Sequence, residues 1–503
     1  MSRLYRILIG VGLLGSLAAG SGPTARDRAL VRSLDQILGN SQFQQGFWGV
    51  YVYSLDRKRV LYNSNGDHWF TPASNAKLFT LAAALHLLGP DFRFHTAMQS
   101  SAPPDPSGVI TGDLALIGVG DPSISGRHYP YRNDPPAPAL PYDPEAVPRA
   151  LAQQLVIRGV KRIAGDIIGD DSYFRNDPYP DGWTIGDTLW DYGAPVSALS
   201  VNDNTRFLQI VPAAVPGAPP NLRWSPALLP PNLRNLATTL PAGSRTRLRL
   251  QQDAASGDWN LMGGIAAGSA GELEALAVRD PALYAAQLLR QALLDAGIAV
   301  SGSARAQHDV PSVRGFELGA WDSPPLAELL QATAKVSQNL EAEMMLRVLG
   351  KLRGSAPPGA PAVAEAASGA VVVRTFLHNA GLAATDAALN DGSGLSRLDL
   401  VTPAGVVRLL RYMRQQPEAQ AWQALLPVAG VDGTLEHRFV HTAAAGKLEA
   451  KTGSLSHVNS LSGYVVTRHG ETLAFSLLSN NVDRPAAEAR AQLDRIANAL
   501  SAW

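Results

Sequence analysis

Residues 77–88 constrain the fold of this chain more than any other segment. They read KLFTLAAALHLL, in which Lys77, Thr80 and His86 are the polar residues. A surface helix keeps a polar face toward water, whereas a helix that is apolar nearly all round must be buried. The segment therefore predicts a central helix that other parts of the chain cover on most sides.

The elements that can cover this helix come from both ends of the chain. Residues 48–61 alternate in the manner of two paired strands, with a turn near Asp56 and Arg57. Further strands are predicted at residues 448–452, 458–467 and 472–478. Helical spacing marks residues 29–38, 325–334, 339–352, 362–380, 402–415 and 485–502. Helices that flank an antiparallel sheet predict an α/β (α+β) domain assembled from both ends of the chain.

The region between these ends has a different sequence pattern, which predicts short strands, turns and proline-rich loops. A chain of 503 residues is long enough for about three domains of roughly 100–200 residues each. We expect residues 26–93 and 306–503 to form the split domain. Residues 94–204 and 275–305 are expected to form one inserted domain, and residues 205–274 a second, smaller one. The insertion is predicted to be mostly β.

The N-terminal residues have the pattern of an export signal. Arg3 and Arg6 precede an apolar run at residues 7–17, and small residues follow at positions 18–21. The run is shorter than the roughly 20 residues that a transmembrane helix needs. We therefore expect residues 1–25 to be removed, leaving a periplasmic or envelope protein with no stable membrane span. An uncleaved N-terminal anchor is the alternative.

Composition excludes several classes of function. The 43 Lys and Arg residues equal the 43 Asp and Glu residues, so no basic excess exists to hold nucleic acid. Cysteine is absent, which removes disulfides, thiolate metal sites and cysteine nucleophiles. His437 and His441 stand four residues apart, but no acidic residue lies between them in the metalloprotease pattern. We predict neither a metal site nor a cofactor.

The first candidate motif joins a serine to a lysine at the start of the apolar helix. Residues three apart on a helix share one face, so Ser74 and Lys77 are expected to lie side by side. A serine hydroxyl becomes a good nucleophile when a base takes its proton. Burial and nearby positive charge lower the pKa of a lysine and allow it to act as that base. Of the seven lysines, only Lys77 has a serine three residues earlier.

The second motif is Lys451-Thr452-Gly453, followed by Ser454, on a predicted strand near the C-terminus. Glycine in a strand lets another backbone approach closely. Such a strand can pair with an extended peptide through main-chain hydrogen bonds. Lys451 adds a positive charge and Thr452 adds a hydroxyl, and both suit a carboxylate. A solvent-edge Lys-Thr pair before a turn is the alternative.

The third motif is a Ser-x-Asn triplet, which is unspecific by itself. Triplets begin at Ser200, Ser337 and Ser479. We select Ser337-Gln338-Asn339, because it lies between the other two motifs at a junction of two predicted helices. The order Ser-x-x-Lys, Ser-x-Asn and Lys-Thr-Gly is that of penicillin-binding proteins and serine β-lactamases.

With these motifs, the chain resembles the low-molecular-mass class C penicillin-binding proteins, the D-alanyl-D-alanine carboxypeptidase/endopeptidase family. Residues 195–204 (PVSALSVNDN), 390–397 (NDGSGLSR), 427–435 (PVAGVDGTL) and 451–464 are also similar to that family. The resemblance covers essentially the whole chain after the leader. It implies a serine β-lactamase/penicillin-binding transpeptidase-like domain, split by a long insertion of two smaller domains.

The resemblance also implies a role for each motif residue. Ser74 would be the nucleophile, Lys77 the base of acylation, and Ser337 the relay of a proton to the leaving amine, assisted by Lys451. The backbone N–H groups of Ser74 and Ser454 would bind the oxyanion.

The remaining motif residues are implied in substrate binding. Asn339 would hold a substrate amide, and Thr452 and Ser454 would face the terminal carboxylate, with Lys451 and Gly453 on the same strand. The implied partners are peptidoglycan stem peptides and cross-links, with β-lactams as covalent inhibitors. A β-lactamase or esterase on the same scaffold is one alternative, and a non-catalytic peptidoglycan-binding protein is the other.

Overall fold

The computed structural model describes residues 23–39, 45–133, 139–228, 232–253, 256, 258–312, 315–354 and 364–503. The helices of these residues are α1 (Ala25–Leu38), α2 (Lys77–Leu88), α3 (Ala146–Ile157), α4 (Pro281–Asp295), α5 (Leu326–Val336), α6 (Asn339–Arg353), α7 (Glu365–Asn379), α8 (Pro403–Met413), α9 (Ala419–Leu425) and α10 (Ala486–Ala502). The strands are β1 (Phe47–Ser54), β2 (Arg59–Ser64), β3 (His95–Ser100), β4 (Val109–Ile110), β5 (Leu114–Ile117), β6 (Arg162–Ile163), β7 (Ile167–Asp170), β8 (Thr205–Val211), β9 (Asn221–Ser225), β10 (Leu233–Asn235), β11 (Thr238–Leu240), β12 (Arg247–Gln252), β13 (Trp259–Ala266), β14 (Glu272–Ala277), β15 (Ala299–Val300), β16 (Ala304–Gln307), β17 (Phe316–Asp322), β18 (Ala387–Ala388), β19 (Leu400–Val401), β20 (Leu448–Leu455), β21 (Val458–Val466) and β22 (Thr472–Asn480).

A five-stranded antiparallel sheet joins the two ends of the chain. Its strand order is β2-β1-β22-β21-β20, so the first two strands lie beside the last three. The join is made by β1 and β22, which pair over eight positions from Phe47 opposite Asn480 to Ser54 opposite Leu473. The domain is therefore assembled from both ends of the chain, as the sequence predicts.

Both faces of this sheet are covered. Alternate residues of a strand point to opposite faces. On β22, Phe475 and Leu477 belong to a core with α1 and α10, whereas Ala474 and Leu478 belong to a core with α2 and its neighbouring helices. Burial on both faces leaves nearly every residue of β21 and β22 buried, including the small polar residues Ser460, Ser462 and Ser476.

Helix α2 lies at the centre of the larger core. Every residue from Lys77 to Leu85 is buried, and α5, α6, α7 and α8 all contact the helix. This arrangement confirms the central helix that the apolar sequence predicts. It also buries Lys77, whose long side chain ends in an amine, at the first position of the helix.

The insertion contains most of the remaining strands. One sheet has the order β16-β7-β5-β3-β17, and a three-stranded sheet has the order β15-β6-β4. Strands β14, β8 and β9 form a third sheet, and β10, β13 and β11, with β12, form a fourth. Because β17 pairs with β3 along residues 316–322, we propose that the insertion ends near Asp322 rather than at residue 305.

The N-terminal boundary also moves slightly. Residues 1–22 of the expected 1–25 leader lie outside the described residues. Thr24 caps α1, accepting a hydrogen bond from the Asp27 backbone N–H while the Asp27 side chain accepts one from the Thr24 N–H. We propose that a leader ends before Thr24, since Ala25 already belongs to the helix. Across the described ranges, every helix is too short or too polar to cross a membrane.

Truncation inside the central helix tests its place in the core. Phe79 is fully buried, and we expect Phe79→Ala to destabilise the fold by about 3–5 kcal/mol through lost burial and a residual cavity. Val371 on α7 is 52% exposed, so Val371→Ala should change stability by less than about 0.5 kcal/mol. Urea unfolding of both variants measures the difference. Equal midpoints would show that α2 is not the centre of the core.

Candidate active site

The serine of the first motif lies in a tight turn immediately before α2. Residues Ala73–Ala76 form a single 3-10 turn, and Ala73 adopts a left-handed conformation with φ 48°. That region is unfavourable for a residue with a Cβ, and such strain concentrates at functional sites. Ser74 is half-buried, and its Oγ lies 3.0 Å from Lys77 Nζ. The two side chains thus lie side by side, as their spacing predicts.

Three oxygen atoms surround the amine of Lys77, one of them the Ser74 hydroxyl. Its Nζ lies 2.5 Å from Asn339 Oδ1 and 2.7 Å from the Ser393 carbonyl oxygen, and both of these atoms only accept hydrogen bonds. A neutral amine has two N–H donors and one lone pair. When the two donors are used by these oxygens, the lone pair faces the Ser74 hydroxyl.

Burial lowers the pKa of Lys77 to about 7, although the charges of Asp391, Asp399 and Glu341 oppose the shift. Within the described part of the chain, Lys77 forms no ion pair with a carboxylate. Repulsion from a nearby cation, the other cause that the sequence suggests, acts on Lys451 instead. Burial first, and then the charge of Lys77, lower the pKa of Lys451 well below its usual range.

The second lysine contacts the second serine. Lys451 is fully buried, and its Nζ lies 2.8 Å from Ser337 Oγ and 2.9 Å from the Thr452 carbonyl oxygen. Ser337 ends α5 in a left-handed conformation with φ 64°, and Asn339 begins α6. The helix junction predicted for this motif is therefore present, and it directs the serine toward Lys451.

Close packing around Gly453 requires glycine at this position, which the motif alone does not reveal. A Cβ on Gly453 would lie 2.2 Å from Ser460 Oγ and 2.9 Å from both the Pro72 carbonyl oxygen and the Ser74 backbone nitrogen. Strand β20 therefore lies directly against the backbone that carries Ser74. Only glycine permits this approach, because any other residue would push the strand away from the serine.

One cleft contains side chains from all three motifs. A cavity of about 310 Å³ is lined by Ser74, Asp187, Tyr192, Ser337, Asn339, Gly394, Leu395, Arg397, Ser454, Leu455 and Ser456. Lys77, Lys451 and Thr452 lie buried behind this surface, while Ser454 is exposed at its rim. The structure thus brings together every residue selected from the sequence.

The sequence does not reveal that the insertion borders this cleft. Asp187 and Tyr192 come from two short turns of the insertion, and the Tyr192 carbonyl oxygen accepts a hydrogen bond of 2.8 Å from Asn339 Nδ2. With its Oδ1 bound to Lys77, Asn339 uses both ends of its amide. Because Nδ2 carries two N–H donors, a substrate carbonyl oxygen can accept the second one while the Tyr192 contact is kept.

The loop that supplies the Ser393 carbonyl is also absent from the three motifs. It belongs to residues 390–397, which signal the family resemblance without a stated role. Asp391 organises it by accepting hydrogen bonds from the backbone N–H groups of Ser393 and Gly394, at 3.2 and 2.6 Å. A Cβ on Gly394 would lie 1.9 Å from the Ala73 carbonyl oxygen, so the loop packs directly on the Ser74 turn.

Two buried carboxyl groups beneath that loop have pKa values that shift in opposite directions. Burial and the charge of Asp391 raise the pKa of Asp399 well above its usual range. Burial opposes ionisation of Asp391, but hydrogen bonds from Asp399, Ser393 and Trp183 together lower its pKa. Asp399 is thus the acid and Asp391 the carboxylate of the pair. Trp183, which donates to Asp391 at 2.8 Å, is another contribution of the insertion.

The unused Ser-x-Asn triplets have structural contacts. Ser200 donates to Asn204 Oδ1 at 3.0 Å inside the insertion, and Ser479 donates to the Asn459 carbonyl at 3.3 Å on the main sheet. Thr434, another residue that the sequence does not single out, contacts Thr452 hydroxyl to hydroxyl at 2.8 Å. Over the described ranges, no group of three or more His, Asp or Glu residues has the geometry of a metal site.

Comparison with known proteins gives a consistent result. Residues 30–500 match the D-Ala-D-Ala carboxypeptidase 3 (S13) family. The chain is 35% identical to a D-alanyl-D-alanine carboxypeptidase of Actinomadura sp. (strain R39), over 96% of this chain and 88% of that protein. It is 26% identical to the D-alanyl-D-alanine carboxypeptidase DacB of Haemophilus influenzae, over 85% and 84% of the two chains.

Solved structures share the fold. The crystal structure of penicillin binding protein 4 (dacB) from Haemophilus influenzae superposes with a TM-score of 0.74 at 24% identity, covering 92% of this chain and 97% of that one. A second structure of that protein, complexed with a β-lactam, gives a TM-score of 0.69. These similarities confirm the predicted penicillin-binding fold class.

The contact between β20 and the Ser74 turn can be tested at Gly453. We expect Gly453→Ala to lower the rate at which a β-lactam acylates Ser74 by about 10²-fold, because a displacement near 1 Å has that effect on reacting groups. Gly112→Ala is the matched control, since its Cβ would meet only the flexible Ser101 hydroxyl, at 3.2 Å. Stopped-flow acylation measures both variants. An unchanged rate in Gly453→Ala would show that the close approach is not needed.

Proposed function

Because this chain belongs to the D-Ala-D-Ala carboxypeptidase 3 (S13) family, we propose that Ser74 is the nucleophile of its reaction and Lys77 the base that activates it. The chain is a D-alanyl-D-alanine carboxypeptidase, a hydrolase, and the family resemblance assigns it a serine acyl-enzyme. The observation that supports these roles is the pairing of two buried amines with two serine hydroxyls in one cleft. Lys77 lies 3.0 Å from Ser74, and Lys451 lies 2.8 Å from Ser337.

In the proposed acylation, Ser74 Oγ attacks the carbonyl carbon of the peptide bond between the two D-alanines. The hydroxyl proton passes to the lone pair of neutral Lys77. The two N–H groups of this neutral amine donate to Asn339 Oδ1 and the Ser393 carbonyl oxygen. The oxyanion receives hydrogen bonds from the backbone N–H groups of Ser74 and Ser454, the arrangement that stabilises developing charge in acyl transfer.

The second serine completes the step. Ser337 gives its proton to the leaving nitrogen as the C–N bond breaks, and Lys451 replaces the proton on Ser337. The products are an acyl-serine and free D-alanine. Water then attacks the ester carbonyl carbon. One water proton is taken by a base of the cleft and given to Ser74 Oγ as the ester C–O bond breaks, and the proton that Lys77 gained in acylation passes back to Lys451.

A terminal carboxylate would complete the charge balance of the cleft. Within the described residues, Lys451 forms no ion pair, although an isolated buried ammonium is costly. A substrate carboxylate at Thr452 and Ser454 would supply the missing negative charge and raise the pKa of Lys451. This coupling favours peptides with a free C-terminus.

We propose a second activity, cleavage of peptide cross-links. What supports it is the space beside the cleft: a further cavity of about 230 Å³ shares Tyr192, Ser337 and Asn339 with it. A leaving group larger than D-alanine therefore has room near Ser337. A β-lactamase or esterase remains the alternative activity of the same acyl-enzyme, and rapid release of penicilloyl groups would favour it.

The proposed partners are peptidoglycan stem peptides and cross-links, with β-lactams as covalent inhibitors. The β-lactam complex of the related penicillin binding protein 4 supports the latter. A peptidoglycan substrate in turn supports export to the periplasm or envelope.

Covalent labelling tests the nucleophile. Fluorescent penicillin should label the purified protein at Ser74, and Ser74→Ala should abolish labelling without changing the circular dichroism spectrum. Peptide mapping identifies the labelled residue. A label on another serine, or labelling that survives in Ser74→Ala, would contradict the assignment.

The two lysines should respond differently to substitution by arginine. Lys77→Arg should lose about 10²–10⁴-fold in acylation, because a guanidinium cannot accept a proton at working pH. Lys451→Arg keeps the positive charge and should retain more activity. Acylation by the unmodified protein should rise about tenfold per pH unit below pH 7 and level off between pH 7 and pH 8, since Lys77, with a pKa of about 7, must be neutral. Equal losses in both variants, with unchanged pH profiles, would exclude this division of roles.

Digestion of purified muropeptides separates the two proposed activities. Mass spectrometry should show loss of one D-alanine from monomeric pentapeptides and conversion of cross-linked dimers to monomers. Ser74→Ala is the control for both. If dimers stay intact while pentapeptides lose D-alanine, the protein has carboxypeptidase activity and the proposed endopeptidase activity is excluded.

A further inference from the structure

The Ser337 turn depends on groups that lie outside the three motifs. Ser337 has a left-handed φ of 64°, and the turn joins α5 to α6 through two residues, Ser337 and Gln338. Thr333 Oγ1 on α5 donates to Glu341 Oε2 on α6 at 2.6 Å, which ties the two helices across the turn. Glu341 is therefore the side chain of α6 that holds the position of Ser337 and Asn339.

The insertion presents a second carboxyl group to this region. Asn202, Asp203 and Asn204 are consecutive left-handed residues, with φ of 53°, 53° and 54°. Such backbone is strained for residues with a Cβ and persists where surrounding contacts fix it. Asn202 Nδ2 donates to the Pro144 carbonyl at 2.7 Å and Asn204 Nδ2 to the Pro195 carbonyl at 2.8 Å. These bonds hold Asp203 against α6.

In each of the two carboxyl groups, one oxygen accepts a hydrogen bond and the other has no hydrogen-bond donor among the described residues. Asp203 Oδ2 accepts from Arg127 Nε at 3.1 Å, as Glu341 Oε2 accepts from Thr333. Asp203 Oδ1 and Glu341 Oε1 are both buried, and no N–H or O–H group of the described residues lies within hydrogen-bond distance of either. Asp203 is 4% and Glu341 2% exposed, so water does not reach these oxygens freely.

The remaining oxygens are explained if one of the two groups is an acid. Two ionised carboxylates beside each other repel, and Arg127, which forms ion pairs with both Asp203 and Glu341, supplies one positive charge for two negative ones. A single proton between the pair converts the repulsion to a hydrogen bond and leaves the cluster neutral, with Arg127 paired to Asp203. Arg127 Nε lies 3.1 Å from Asp203 Oδ2 and 3.7 Å from Glu341 Oε1, so one guanidinium group faces both carboxyl groups and holds them next to each other.

We propose that Asp203 and Glu341 share one proton, and that this hydrogen bond from the insertion to α6 positions Ser337 and Asn339 for the reaction. Glu341 carries the proton and donates it to the Asp203 carboxylate. Both are positioning residues, because neither exchanges a proton or forms a bond with the reacting atoms in the proposed mechanism, although Asp203 lines the cavity proposed for the larger leaving group. The inference rests on the proposed roles of Ser337 and Asn339.

The charged surroundings favour this distribution of the proton. Burial and then the charge of Asp203 raise the pKa of Glu341 to about 8, while Arg127 and the Thr333 hydrogen bond act in the opposite direction. The other titratable groups that face the pair are Tyr129, Tyr142, Asp191 and Lys77. Glu341 is thus protonated at neutral pH, and the bond is lost as the pH rises through about 8.

Substitution by glutamine distinguishes this bond from simple packing. The amide of Glu341→Gln can donate to Asp203 and accept from Thr333, so it imitates the acid at every pH. We expect Glu341→Gln to acylate with penicillin at close to the wild-type rate at pH 7. Glu341→Ala should be about 10²-fold slower, because the turn loses its brace. Glu328→Gln on α5 serves as the control for a loss of one carboxyl group.

Infrared difference spectroscopy provides a readout that does not depend on activity. The wild-type protein should show the C=O stretch of a protonated carboxylic acid that titrates near pH 8. This band should be absent in Glu341→Gln and present in Glu328→Gln. Absence of the band in the wild type, or a Glu341→Gln variant as slow as Glu341→Ala, would overturn the proposal. Failure of penicillin labelling at Ser74 would instead contradict the proposed function and leave the infrared result to stand alone.

Discussion

Two lysine amines are buried in one cleft, and no carboxylate forms an ion pair with either of them within the described residues. Keeping an ammonium group out of water without a counter-charge costs several kcal/mol, so burial drives such groups toward the neutral form. The rest of the site follows from this constraint. Lys77 obtains two carbonyl acceptors and a serine hydroxyl, whereas Lys451 obtains a serine hydroxyl and its neighbour's carbonyl. In the proposed mechanism, neutral Lys77 beside the Ser74 hydroxyl acts as a base. Lys451, which lacks an anionic partner among the described residues, can bind the carboxylate of a substrate.

The fold supports this arrangement from three directions. Helix α2 and its preceding turn hold Ser74 and Lys77, the α5–α6 junction holds Ser337 and Asn339, and β20 holds Lys451. Each support has a close backbone contact that fixes it, of which the approach of Gly453 to Ser74 is one. Close-packed interiors transmit small displacements, so the spacing of the cleft depends on these contacts as much as on the side chains themselves.

The insertion takes part in the site as well as extending the molecule. Tyr192 holds the Asn339 amide, Trp183 donates to the Asp391 carboxylate, and Asp203 lies against α6. Two pairs of buried carboxyl groups lie behind the reacting groups: the pKa values of Asp399 and Asp391 shift in opposite directions, and we propose that Glu341 and Asp203 share a proton. Such pairs supply donors and acceptors in a dry environment without adding a second buried charge.

Local pattern in the sequence was sufficient to predict the central helix, the ends of most helices within a few residues, and the pairing of Ser74 with Lys77. These features depend on residues close together in the chain, through helical periodicity and the neighbourhood of positions three apart. The contacts of Lys77 with Ser393 and of Asn339 with Tyr192 join residues 316 and 147 positions apart, and no local pattern encodes them. The same is true of the pairing of β17 with β3 and of the left-handed residues 202–204. Packing of distant segments decides these features, because a buried polar group takes whichever partner the completed fold brings within hydrogen-bond distance.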